Sequence, residues 1–193
     1  MSTSLPLADR LNRPIGVLRL SLTARCNLAC PYCCPDVEEP PGLLTLEQQM
    51  RVIRVAARLG AQTLRLTGGE PLLSRRLLPL LEAVAQARRD RSDPIAGLQA
   101  VALTSNGVLL SEPMARALRA AGLDRITISL DAAEGEAAAR MAGLQGGAEA
   151  GHRLVRQVQN GIAAACTAGF EPCLLYTSPS PRDVEESRMP SSA

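Results

Sequence analysis

Four short strand patterns, each followed by a helix pattern, limit what this chain of 193 residues can fold into more than any other feature. The strand segments are Val17 to Thr23 (VLRLSLT), Thr63 to Thr67 (TLRLT), Ala100 to Ser105, and Arg125 to Leu130 (RITISL). Apolar periodicity predicts helices from Leu46 to Leu59, from Arg75 to Arg88, from Ser111 to Gly122, and from His152 to Ala168. Thr45 with Gln48 reads as a capping box, and Gly60 and Gly169 stand where helix C-termini favour a left-handed residue. The Gly/Ala/Glu-rich stretch from Asp131 to Gly151 is expected to be a connector. Serial βα units of this kind imply an α/β fold with a parallel sheet and right-handed crossovers.

Period-two counting sorts each strand into an apolar and a polar face. Leu18, Leu20 and Leu22 oppose Arg19, Ser21 and Thr23, and Leu64 and Leu66 oppose Arg65 and Thr67. Thr104 and Asn106 share one side of the third strand, and Ile126, Ile128 and Leu130 oppose Thr127, Ser129 and Asp131. Parallel strands covered on both faces usually read as continuous apolar runs, and these do not. The expectation is a curved sheet whose polar side cups a polar ligand near the carboxyl ends of the strands. The cysteine loop, GGEP, SNG and Asp131 all fall at those ends.

Cys26, Cys30 and Cys33 form C-x-x-x-C-x-x-C in the loop after the first strand (CNLACPYC). A cubane iron–sulfur cluster normally takes four Cys ligands, so three thiolates would leave one iron open to a small molecule. Structural zinc takes four protein ligands, and the fourth would have to be Cys34, adjacent to Cys33, or the distant Cys166 or Cys173. The lone His152 reads as solvent-facing. Crowded loop thiols without a preceding signal segment read as metal or redox chemistry before disulfides. The cluster stands ahead of zinc, which stays open as the alternative from a non-enzymatic class. In GGEP, two glycines after a strand allow close backbone approach, and Glu70 offers a carboxylate to a ligand carrying an ammonium group. A net charge of +2 gives no reason to invoke nucleic acid. With no run of eighteen apolar residues and no apolar leader in the opening segment, a cytoplasmic protein is expected.

The cysteine spacing resembles that of the radical S-adenosylmethionine (SAM) enzymes. The stretches RPIGVLRLSLTARCNLACPYCCP, RLTGGEPLL, ALTSNGVLL and AGLDRITISLDA are similar, in order and spacing, to the GTP 3′,8-cyclase family of molybdenum cofactor biosynthesis. The resemblance runs from Arg13 to Gly169. It implies a partial (β/α)6 TIM-like barrel, incomplete here with about four βα units present. It also implies a [4Fe–4S] cluster and SAM as cofactors, GTP as substrate, and an electron donor for the cluster. In that family SAM is cleaved to a 5′-deoxyadenosyl radical, which takes a hydrogen from the ribose of GTP before the ribose bonds to C8 of guanine.

Carried over position by position, the resemblance makes Cys26, Cys30 and Cys33 the cluster ligands. It makes Tyr32, Gly69, Glu70 and Ser129 SAM-binding, and Arg19, Arg65 and Thr104 GTP-binding. A sibling radical SAM enzyme, such as a peptide-modifying one, would share the cysteine loop and GGEP without matching LRLSLTARCN or Arg65 so closely. Ala24 stands where an acidic residue is usual and Cys34 where Met is usual; Cys34 reads as a spectator. The family's fifth-strand Lys has no counterpart, since all 21 basic residues here are Arg, and neither does its second, C-terminal cluster. The expected organisation is therefore a truncated core domain over 1–171 and a non-native or disordered tail over 172–193, whose Ser/Pro-rich composition is not expected to supply a strand.

Overall fold

The computed structural model describes residues 8, 10–11, 13, 15–33, 38–39, 41–171 and 174–176. Its strands are β1 (Val17–Ser21), β2 (Thr63–Thr67), β3 (Ala100–Ser105), β4 (Arg125–Ser129) and β5 (Leu174–Tyr176). They form one parallel sheet in the order β1-β2-β3-β4-β5. Right-handed crossovers between strands laid down in strict sequence put every connecting helix on the same side. The sheet therefore winds as a barrel segment does, with one face under helices and one face free.

The helices are α1 (Leu46–Arg58), α2 (Leu77–Arg89), α3 (Glu112–Ala120), α4 (Gly135–Met141) and α5 (Gly147–Thr167). The capping box at α1 is present in both directions: Gln48 N donates to Thr45 Oγ1 at 3.2 Å, and Thr45 N donates to Gln48 Oε1 at 2.8 Å. Ser111 caps α3 in one direction, its Oγ accepting from Met114 N. The core lies between helices and sheet. Leu64, Leu66, Val101, Leu103, Ile126 and Ile128 are all fully buried there, as the alternation predicts. On the opposite face Arg65, Thr67, Thr104, Thr127 and Ser129 remain partly exposed.

Two expectations are corrected. The stretch from Asp131 to Gly151 is not a plain connector, since α4 forms inside it and α5 begins at Gly147. Glu134 caps α4 by accepting from Glu136 N and Ala137 N, and the alanines that follow are strong helix formers. Small residues let the two helices touch backbone to backbone: a Cβ on Gly151 would lie 1.6 Å from Gly135 O. The second correction concerns the segment beyond 171, where Leu174–Tyr176 pairs in parallel with β4 as a fifth strand. Segment-wide Ser/Pro content hid the local Leu-Leu-Tyr run, which suits a strand. Residues 177–193 and Cys34 lie outside the described residues.

Candidate functional site

A cavity of about 250 Å³ opens at the carboxyl ends of the strands. Cys26, Cys30, Cys33, Tyr32, Gly69, Thr104 and Ser129 all line it. Seven residues singled out from the sequence, scattered over more than a hundred positions, thus share one wall. The opposite wall is apolar and comes from α4 and α5, through Ala138, Met141, Leu154 and Val158.

The cysteine loop is held from three directions. Its entry runs against GGEP, where Gly69 N donates to Thr23 O and Glu70 N to Arg25 O, both at 2.8 Å. This contact, rather than ligand approach alone, accounts for the two glycines. A Cβ on Gly68 would lie 2.5 Å from Thr23 O, and one on Gly69 would lie 2.3 Å from Arg25 O. Gly68 also has φ +152°, which side-chain-bearing residues rarely adopt. The middle of the loop is tied to the end of α4 by Ala29 N donating to Ala142 O at 3.1 Å. Asn106, just past β3, donates from Nδ2 to Asn27 Oδ1 at 2.9 Å, and the same nitrogen lies 3.8 Å from Cys26 Sγ.

Glu70 is placed differently from the expectation. Its carboxylate is fully buried and does not line the cavity. Oε1 accepts from Leu72 N at 3.0 Å and from Ser105 Oγ at 2.9 Å, and Oε2 accepts from Asn106 N at 2.8 Å. Ser105 lies on the helix-facing side of β3, and the Glu70 side chain follows it there. The carboxylate is a brace that joins GGEP to the SNG turn, beneath the surface a ligand would touch. Burial pushes its pKa up, while the backbone N–H of Asn106 and Leu72 and the Ser105 hydroxyl pull it partly back.

Two cavity residues, Asn106 and Asp131, were legible only as positions at strand ends. The Tyr32 hydroxyl donates to the Asp131 carboxylate across the mouth of the cavity. Partial burial of the hydroxyl and the adjacent Asp131 hold the phenol protonated well above its usual range, although the ring is 61% exposed. Asp131 follows Ser129 by two residues on the polar face, so its position was readable from the alternation.

Cys26, Cys30 and Cys33 stand around one cavity, and a cubane is a body wide enough for ligands so placed. Among the described residues, no three His, Cys, Asp or Glu side chains form a group that could hold a single metal ion. Cys34 and Cys173, on which the zinc alternative would call, lie outside the described residues. Burial raises the Cys30 pKa; the Tyr32 hydroxyl lowers it somewhat, and Asp131, Cys26 and Cys33 raise it further.

Arg65 lies just below the cavity wall. Its Nη1 donates to Thr104 Oγ1 at 3.2 Å and to Thr127 Oγ1 at 3.5 Å, so it reaches across β3 to β4. Arg19 is its register partner on β1 and is exposed. Of the residues expected to bind GTP, Thr104 lines the cavity, Arg65 is bonded to it, and Arg19 lies one strand further out in the same register row.

These features define a parallel βα fold with a three-thiol loop at the strand ends, and the known proteins that share them are consistent. The sequence profile of the radical SAM superfamily matches residues 20–179, and the chain belongs to that superfamily. Enzymes of this superfamily use a [4Fe–4S] cluster and SAM. The chain is 94% identical over 172 residues to a GTP 3′,8-cyclase of Synechococcus sp. (strain CC9605), covering 89% of this chain and 50% of that protein. It is 68% identical over 172 residues to the GTP 3′,8-cyclase of Synechococcus sp. (strain WH7803), again 89% of this chain and 50% of the relative. The chain therefore spans about half the length of the curated relatives it matches. Among solved structures, HydG, a maturase of the [FeFe]-hydrogenase, superposes with TM-score 0.64 at 14% identity over 83% of this chain and 34% of its own. Streptococcus suis SuiB bound to S-adenosylmethionine superposes with TM-score 0.61 at 17% identity over 90% of this chain and 37% of its own. At these identities the structural likeness speaks for the fold. Among the described residues, no helix is long and apolar enough to cross a membrane.

Proposed function

We propose that this chain is the cluster-binding and phosphate-holding part of a GTP 3′,8-cyclase acting in molybdenum cofactor biosynthesis. The observation that carries the reading is the 94% identity over 172 residues to a protein of that name. The geometry supports it. Cys26, Cys30 and Cys33 would hold the cluster, with its fourth iron left to SAM. Tyr32, Gly69 and Ser129 line the cavity where SAM would lie, and Asp131 fixes the Tyr32 hydroxyl beside them. Bound there, the cluster and SAM supply the hydrogen-abstracting chemistry. The apolar α4–α5 wall would limit water on its side of the cavity, where reactive species form. Thr104, Arg65 and Arg19 would take the nucleotide, the guanidinium groups gripping phosphate oxygens in pairs. An external one-electron donor completes the partner list, and the setting is the cytoplasm, where thiols stay reduced.

The test uses a protein that carries this sequence at the full length of its relatives, reconstituted anaerobically with iron and sulfide. It is incubated with dithionite, SAM and GTP deuterated at C3′. The expected result is deuterium in 5′-deoxyadenosine together with a cyclised nucleotide. Uncoupled 5′-deoxyadenosine free of deuterium, the same with GTP present or absent, would overturn the substrate assignment and leave the radical SAM assignment in place.

A further inference from the structure

The register of the sheet lines up more basic residues than the two already discussed. Arg19 pairs with Arg65, Arg65 with Ala102, and Ala102 with Arg125. One row across four strands therefore reads Arg, Arg, Ala, Arg. Alternation puts Arg125 on the polar face, two residues before Thr127 and four before Ser129. At about 3.3 Å per residue, the row lies roughly 7 Å below the Thr104–Thr127 pair. Arg65 reaches over β3 to Thr127, passing above Ala102, which is 1% exposed. Its guanidinium therefore ends on the strand that carries Arg125.

This row is a poor choice for the fold alone. Like charges on neighbouring strands repel and destabilise a sheet. The ion pairs among the described residues fall on Arg51, Arg54, Arg88, Arg116 and Arg153, and none falls on Arg19, Arg65 or Arg125. Burial lowers the Arg65 pKa, and the charges of Arg19 and then Arg125 lower it further, so the three cations sense one another. An anionic ligand would relieve all three.

We propose that Arg125 is a third phosphate-holding side chain, which completes with Arg19 and Arg65 a basic row for the polyphosphate end of the nucleotide. The inference rests on the nucleotide reading above, and its test separates the two. The probe is inorganic tripolyphosphate, titrated calorimetrically into the 193-residue chain and its variants. Losing one charge-assisted phosphate contact should weaken binding about tenfold or more in Arg125→Gln. Arg125→Lys should retain part of it, and the exposed control Arg116→Gln should retain all of it. Without ligand, Arg125→Gln should melt no lower than wild type, because one repelling charge is gone. The melting-temperature gain from tripolyphosphate should shrink in the same variant. Arg125→Gln binding tripolyphosphate within twofold of wild type would overturn the proposal, as would a wild type that does not bind it. If Arg125→Gln loses tripolyphosphate but GTP competes no better than ATP, the basic row stands and the guanine assignment falls. If GTP binds wild type and Arg125→Gln alike, the row falls and the guanine assignment stands.

Discussion

Glu70→Gln separates a carboxylate that braces the site from one that binds ligand. In the structure Oε1 serves two donors, Leu72 N and Ser105 Oγ, and Oε2 serves a third, Asn106 N. An amide has only one oxygen. Whichever way the Gln side chain turns, its NH₂ faces a backbone N–H, either that of Leu72 or that of Asn106. A buried donor left unmatched costs about 1–3 kcal/mol. Burial acts the other way, because it holds the Glu70 carboxyl above its ordinary range and makes the ionised form unfavourable. For a carboxyl raised in the folded state, the contribution to stability is complete below the unfolded value near about 4.3 and is lost as pH rises through the folded value. Gln has no such loss. The stability gap between wild type and Glu70→Gln should therefore be widest in mild acid and should narrow toward neutral pH. A gap of about 1 kcal/mol would lower the melting temperature by roughly 2–4 °C in a chain of this size. Urea unfolding followed by circular dichroism across that pH range measures it. A gap that widened with pH would mean that the three donors stabilise the charge more than burial penalises it. Unchanged stability with lost SAM affinity would mean that the carboxylate faces the ligand after all, and the brace would be refuted.

Two more substitutions test how the cysteine loop is built. Gly69→Ala puts a methyl 2.3 Å from Arg25 O, a backbone atom that cannot swing aside. It should cost more than about 2 kcal/mol and reduce iron uptake, and normal iron content with an unchanged unfolding midpoint would count against the packing role. Cys30→Ala should abolish the brown absorbance that accompanies about four irons per reconstituted chain, whereas Cys166→Ala, at an exposed position of α5, should not. Stoichiometric zinc without iron uptake in the wild type would return the loop to a structural role.

What could be read from the sequence was whatever period two and turn chemistry encode. Arg19, Arg65, Thr104 and Ser129 could be assigned to one face because side chains on a strand alternate, whatever lies around them. The Thr45 cap was legible because both of its partners are local in sequence. Glu70 was not, because nothing in GGEP says whether a carboxylate after a glycine pair turns toward the cavity or under the strand. That choice is made by Ser105 and Asn106, thirty-five and thirty-six residues away. α4 was missed because a run of Ala, Gly and Glu carries little apolar periodicity, and its helix is fixed by packing against Gly151. Arg125 shows the same limit from the other side. Its face was visible from alternation, but the row it completes exists only through register, which no single strand contains. A row of like charges, with no ion pair on it among the described residues, conflicts locally with sheet stability, and such conflicts are expected where a protein binds its ligand. The same reasoning gives the Arg125 proposal its physical basis: a sheet built for stability alone would have placed an acid in that row.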